Sequence, residues 1–277
     1  MGGLIGQKSL NFFLDSLDLR RFPNSTIVLG DEGCGKHLLV TLMAQKLSLP
    51  LVTIEESLSD EQLNAIYRSV TPTLYSIDAS QLTEKKQSPL LKFLEEPPAN
   101  AFVVVLTTSM YNLLQPLRHR SSIITFEPYS PAELQQFAAA HNITLTESQL
   151  QSNILKTPGD VLQLISDNID VEKIQELSHK VCEAMAKASY PNALTIADKL
   201  NYKDEFDKIN HRFFLRALYS DLNNKYLRVS HEEALYYEAR EVARTIQLLK
   251  DNRINKKLAI TAMVSKMWSI ARSYAIN

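Results

Sequence analysis

Thr26-Ile27-Val28-Leu29-Gly30-Asp31-Glu32-Gly33-Cys34-Gly35-Lys36-His37 leads from a β-branched, aliphatic segment through three glycines into Leu38-Leu39-Val40, Leu42-Met43 and Leu47, which recur at helical spacing. That order predicts a strand, a tight loop and a helix. Residues 30–37 fit the phosphate-binding pattern G-x-x-x-x-G-K-[ST] everywhere except the last position, where His37 stands. Glycines there let backbone N–H groups close round phosphate oxygens at a helix N-terminus, and Lys36 would reach the β and γ phosphates. His37 weakens the case for catalysis, because the usual hydroxyl offers Mg²⁺ an oxygen ligand and imidazole replaces it poorly. Of the seven glycines, six fall within the first 35 residues and only Gly159 follows, so glycine serves local purposes here.

Outward from this loop the pattern repeats as strand and helix. Strands are expected over Leu49 to Ile54 and Thr73 to Ile77, with a helix from Asp60 to Ser69 between them. A helix ending at Glu95 is stopped by Pro97-Pro98, and further strands cover Ala101 to Leu106 and Ile123 to Phe126. The fold class is therefore α/β with a parallel sheet, followed by an all-α region. Asp78, ending the Leu74-Tyr75-Ser76-Ile77 strand, reads either as an acid that helps hold Mg²⁺ through water or as a helix cap. Ala79 follows, where a hydrolysing enzyme would carry a water-polarising glutamate worth about 10² to 10⁴ in rate.

From Ser130 the character changes. Ser130-Pro131-Ala132-Glu133 is a capping box with proline at the first helical position, and Thr157-Pro158-Gly159-Asp160 separates two helices. The domains read as a P-loop domain over 1–129, a small helical module over 130–170 and a helical domain over 171–277. In the last helix Ile260, Met263, Met267, Ile270 and Tyr274 form one apolar seam, open to two readings: bundle core or subunit packing.

Composition narrows the classes. With 45% hydrophobic residues the chain can bury a real core, and a net charge of -1 lacks the global positive field of a protein that holds DNA or anionic membrane alone. Nucleic acid contact must be local or shared, and Arg240 to Asn277, with eight Lys or Arg against Glu241 and Asp251, is the basic stretch. Cys34 and Cys182 are too few for a disulfide framework or a zinc cluster, so no metal is expected. The longest aliphatic run, Ala101 to Leu106, is six residues, and neither a signal peptide nor a membrane span is expected.

Pro89-Leu90-Leu91-Lys92-Phe93-Leu94-Glu95-Glu96-Pro97-Pro98, the strand to Thr107-Thr108, and Leu117-Arg118-His119-Arg120-Ser121 together resemble bacterial clamp-loader subunits of the AAA+ class. Those proteins carry a leucine-leucine-lysine-x-leucine-glutamate-glutamate-proline-proline run before their sensor 1 strand and a serine-arginine-cysteine motif after it. Ile5-Gly6-Gln7 resembles their opening motif, near the adenine. The resemblance covers about residues 4 to 165; beyond that it rests on helical character and on Asp251-Asn252-Arg253-Ile254-Asn255-Lys256-Lys257-Leu258. It implies an AAA+ domain, a helical lid and a C-terminal collar. By position, Lys36 would be the P-loop lysine, Asp78 the Walker B acid, Thr108 the sensor 1 residue and Arg120 the arginine finger offered to a neighbour, with Arg118 a rival. Ile5, Gly6, Gly30, Gly33, Gly35 and His37 would complete a degenerate nucleotide site. The sensor 2 arginine is replaced by Leu162, and no zinc module lies between Lys36 and Asp78.

A dead site beside an intact finger resembles the delta prime type of subunit. The implied function is a non-hydrolysing member of a hetero-pentameric, DNA polymerase III-like loader that places a ring-shaped sliding clamp on primer-template DNA. Its partners would be the other loader subunits, the clamp and, through the assembly, DNA; no membrane partner is expected and the location would be cytoplasmic. No cofactor is assigned, with ATP and Mg²⁺ at most vestigial at its own site. Two alternatives stay open: an active motor ATPase subunit, and a helical AAA+-derived adaptor for another partner.

Overall fold

The computed structural model describes residues 3–54, 59–79, 82–187, 189–201, 211–228, 233–251 and 254–275. Asn252 and Arg253 of the C-terminal resemblance lie outside them. Five parallel strands, β1 (Ser25–Leu29), β2 (Leu51–Ile54), β3 (Thr73–Asp78), β4 (Ala101–Thr107) and β5 (Ser122–Thr125), form one sheet in the order β2-β3-β4-β1-β5. β4 is buried along its whole length, which accounts for its uninterrupted apolar run: a central parallel strand is covered on both faces.

Period-two alternation sorts the central strands into two cores. Ile27, Tyr75, Ile77, Val103 and Val105 share one cluster with Leu63 and Ile66 of α3 (Asp60–Arg68), Leu90 of α4 (Glu84–Glu95) and Leu117 of α5 (Gln115–His119). Val28, Leu74, Phe102, Val104 and Leu106 share the other with Leu10 and Leu14 of α1 (Lys8–Asp15) and Leu39, Val40 and Met43 of α2 (Lys36–Leu47). The result is three layers, helices on both faces of a sheet. Of the edge strands, β2 is shorter than the pattern suggests and β5 is shifted by one residue. β2 begins only after Pro50, which has no N–H for a ladder, and Phe126 lies just past β5, its N–H still bonded to Leu29 O.

The chain divides into two compact units, Met1–Phe137 with Thr157–Gly159, and Ala138–Lys156 with Asp160–Asn277. α6 (Pro131–Ala140) opens with the expected capping box: Ser130 N–H and Oγ–H donate to Glu133, and Glu133 N–H donates back to Ser130 Oγ. The second unit contains α7 (Glu147–Gln151), α8 (Pro158–Ser166) from Asp160 onward, α9 (Val171–Lys187), α10 (Tyr190–Asn201), α11 (His211–Arg228), α12 (Glu233–Leu248) and α13 (Lys256–Ala275). In α13, Ile260, Met263 and Met267 are buried, Trp268 packs on Tyr190 of α10, and Tyr274 stacks on Tyr237 of α12. The inner half of the seam is therefore bundle core, filled by this chain's own helices.

Among the described residues no helix is long and apolar enough to cross a membrane, and no group of three or more His, Cys, Asp or Glu could hold a metal ion.

Candidate functional site

The expected site residues converge at one edge of the sheet. The glycine loop follows β1, Asp78 ends β3 and Thr108 follows β4; the register pairs Asp78 with Leu106 and Leu29 with Thr107. This carboxyl edge is where open α/β sheets bind ligands. Gly33 and Gly35 take the left-handed conformation, at φ +76° and +106°, and Gly35 is the N-cap of α2, as the sequence pattern requires.

What fills the loop is the chain itself. Lys36 is buried, and its Nζ donates to the carbonyls of Gly30 and Asp31, both at 2.9 Å. Thr157 Oγ1 donates to Glu32 O at 3.0 Å, Gly159 N–H to Gly33 O at 2.9 Å, Tyr129 Oη to Cys34 O at 2.8 Å and Leu39 N–H to Gly35 O at 2.9 Å. Every carbonyl from Gly30 to Gly35 thus accepts a hydrogen bond from within the chain. Gly33 and Gly159 meet backbone to backbone: a Cβ built on Gly33 would stand 2.8 Å from Gly159 Cα. Burial pushes the Cys34 thiol up to about 11 and the Tyr129 phenol higher still, so both remain neutral packing groups in the loop wall.

His37 faces Asp78, with Nε2 3.6 Å from Oδ2, so the two positions that would share Mg²⁺ face each other instead. Both side chains are well exposed, and a pair of this kind contributes little to stability. Ala79 is fully buried in the apolar cluster beneath the sheet. A glutamate there would place a carboxylate among hydrocarbon, so the missing water-activating group cannot be restored by that single change without a desolvation cost. Leu162, at the expected sensor 2 position on α8, is exposed. For hydrolysis of ATP with Mg²⁺ two groups are lacking, since the metal-bearing hydroxyl is an imidazole and the general-base position is core, and the lysine is engaged by its own loop.

Ile5 and Gly6 belong to a turn anchored by Gln7, which is buried and forms two hydrogen bonds with the backbone of Glu127, donating to its carbonyl and accepting from its N–H. Gly6 has φ +75°, and a Cβ there would meet the Glu133 carboxyl group at 2.7 Å. Thr108 is half-buried, its Oγ1 accepting from Asn112 Nδ2 at 3.4 Å, whereas its neighbour Thr107 is wholly buried.

Arg120 lies elsewhere. It caps the C-terminus of α5, two residues before β5, and with His119, Asn24 and Ser25 it lines a hollow of about 350 Å³ at the amino edge of the sheet. The five residues of β1 separate this edge from the glycine loop, roughly 16 Å at strand rise. Arg120 is exposed, while Arg118 is half-buried with its Nε lacking an acceptor among the described residues.

Three residues that close the loop, Tyr129, Thr157 and Gly159, were not singled out by motif. Thr157-Pro158-Gly159 reads in sequence as a helix break, and the one hint was Gly159's isolation from every other glycine. In sequence Asp160 belongs to the same break and to the turn that ends in Leu162, and nothing there marks it as buried. It is fully buried in the second unit, accepting from Lys156 N–H at 2.8 Å and Arg216 Nη1 at 2.7 Å, and paired with Arg212.

Comparison with known proteins agrees with the motifs. The family described as DNA polymerase III, delta subunit, matches residues 73–130. DNA polymerase III subunit delta' of Bacillus subtilis (strain 168) is 25% identical over 116 residues, 39% of this chain and 35% of that protein. The chain thus spans about a third of the relative's length in that match. Among solved structures, the Thermotoga maritima RuvB Holliday junction branch migration motor aligns at a TM-score of 0.50 with 17% identity, covering 77% of this chain and 88% of that one. A variant of the same RuvB reaches 0.52 with 18% identity and the same coverage. At such identity the likeness speaks for the AAA+ fold alone, while the sequence matches support a delta prime-like clamp-loader subunit.

Proposed function

We propose that this delta prime-like chain is a non-hydrolysing clamp-loader subunit that donates Arg120 to the nucleotide site of a neighbouring ATPase subunit. It would act within a hetero-oligomer that places a ring-shaped sliding clamp on primed DNA. The observation that carries this reading is the position of Arg120 at the opposite edge of the sheet from the chain's own glycine loop. From there the guanidinium cannot serve that loop, but it is exposed, permanently charged and shaped to grip phosphate oxygens two at a time. A finger of this kind stabilises charge developing on the transferring γ-phosphoryl group and is worth about 10³ to 10⁵ in rate. A subunit without turnover can in this way set the turnover of another.

The engagement of Lys36 supports the other half of the proposal. Lys36 would have to leave the carbonyls of Gly30 and Asp31 before its ammonium could reach a triphosphate. With His37 and Ala79 in place, entry would still supply neither metal hydroxyl nor base.

Single-turnover ATP hydrolysis in the reconstituted loader tests the finger. Arg120→Ala should reduce hydrolysis at the adjoining site by about 10³ while leaving subunit co-elution and melting temperature unchanged. Unchanged hydrolysis would move the role to Arg118 or abolish it.

A further inference from the structure

A five-residue helix is too short to hold its own end, since helix nucleation is unfavourable and isolated helices of this length do not persist. α5 must therefore be fixed by what its residues touch, and Arg120 with it. One anchor is apolar: Leu117 is fully buried in the core. At the helix's start Gln87 Oε1 accepts from Leu114 N–H at 3.0 Å, and at its end the anchor is a pair of serines. Ser121 Oγ lies 2.9 Å from Leu117 O, to which it donates, and 2.6 Å from Ser25 Oγ. A hydroxyl carries a single proton. With Ser121's proton committed to Leu117 O, the proton between the two serines is Ser25's, and the chain of donors runs Ser25 to Ser121 to Leu117 carbonyl. The same carbonyl accepts the Arg120 N–H at 3.3 Å.

We infer that Ser121, held by Ser25, is a positioning residue for Arg120: it fixes the C-terminal turn of α5 to the first residue of β1 and so sets the direction in which the guanidinium leaves the domain. The inference rests on the reading of Arg120 as a finger. Ser25 is buried and in register with Val103 of the central strand β4, so the turn is tied to the middle of the sheet. The Ser25–Ser121 bond spans 96 positions in sequence and brings no charge to the hollow. Its effect on a neighbour's reaction is exerted only through where Arg120 stands. Positioning matters steeply in this chemistry, because misplacement of a reacting or stabilising group by about 1 Å can cost a factor of about 10².

The test is steady-state ATP hydrolysis by the reconstituted loader, stimulated by clamp and primed DNA, with Ser121→Ala, Ser121→Thr, Arg120→Ala and the Ser121→Ala/Arg120→Ala double variant. Ser121→Ala should lower kcat about three- to thirtyfold with KM for ATP unchanged. Ser121→Thr, which keeps the hydroxyl, should restore most of the rate. The double variant should be no slower than Arg120→Ala alone, because a displaced finger and an absent one cannot both be lost. Ser25→Ala should reproduce the kcat loss and serves if Ser121→Ala fails to assemble. Wild-type kcat in Ser121→Ala and Ser25→Ala alongside a slow Arg120→Ala overturns the positioning role and leaves the finger standing. A double variant slower than Arg120→Ala assigns Ser121 some other role and likewise overturns it. An unaffected Arg120→Ala removes the finger itself.

Discussion

Replacing Gly159 by alanine tests whether the glycine loop is held shut by its own chain. A Cβ at 159 would lie 2.5 Å from Gly33 Cα, 3.0 Å from Gly33 O and 3.2 Å from Gly33 C. All three atoms are backbone, so no side chain can swing aside to relieve the clash. The Thr157–Gly159 turn must lift, and with it go the Gly159 N–H to Gly33 O and Thr157 Oγ1 to Glu32 O bonds. Overpacking costs about 1–3 kcal/mol and each of the two hydrogen bonds about 0.5–1.5 kcal/mol, which puts the local loss at about 2–6 kcal/mol. At 1.4 kcal/mol per factor of ten, amide hydrogen exchange across residues 157–159 should accelerate roughly 30- to 20,000-fold in Gly159→Ala. Gly33→Ala should do at least as much, since its φ of +76° adds the strain of a left-handed alanine, about 1–2 kcal/mol. The two together should be less than additive, because each displaces the same contact. Exchange in Gly159→Ala within threefold of the parent protein would refute the reasoning and leave the loop held by Lys36 and Tyr129 alone.

Other outcomes follow from the same contacts. The isolated chain should hydrolyse ATP no faster than Lys36→Ala, and Lys36-dependent phosphate release would overturn the inert-site reading. Arg216→Ala should destabilise the second unit by about 1.5–3 kcal/mol, measured by urea unfolding with Trp268 fluorescence, because the fully buried Asp160 loses one charged hydrogen-bond donor while Arg212 still pairs with it; a loss under about 0.5 kcal/mol would mean the Arg216 contact is dispensable. Hydrogen bonds from Ser130 N–H and Oγ–H hold the Glu133 carboxyl below its ordinary value near 4.5. A depressed folded pKa gives stability that is complete above the unfolded value and is lost as pH falls through the folded one. Glu133→Gln should therefore flatten the acid limb of the melting profile below about pH 4.5 by under about 1 kcal/mol, and an unchanged limb would show that the cap does not titrate with folding.

The parts of the structure legible in sequence are those whose cause is local. β4 could be read from six consecutive apolar residues, the glycine loop from its spacing, and the α6 cap from Ser130 and Glu133 three positions apart. Ambiguity between bundle core and subunit seam in α13 was irreducible locally, because periodicity reports that a face is apolar and not what covers it. The closure of the loop was illegible for a similar reason. Thr157 reaches Glu32 across 125 positions and Tyr129 reaches Cys34 across 95, and neither residue type announces such a partner. Ala79 was read as a missing carboxylate; that the position is also part of the core emerges only when α3 and α4 cover that face of the sheet.

The glycine loop and the turn that bears Arg120 are both tied to β1. The loop's carbonyls from Gly30 to Gly35 accept hydrogen bonds from within the chain. The loop is the carboxyl end of β1; the amino end of the same strand is Ser25, which holds Ser121 and through it the turn bearing Arg120. In a subunit whose proposed task is to present one guanidinium to a neighbour, a strand tied at both ends would hold the turn that bears it in one place, whatever nucleotide the neighbour carries.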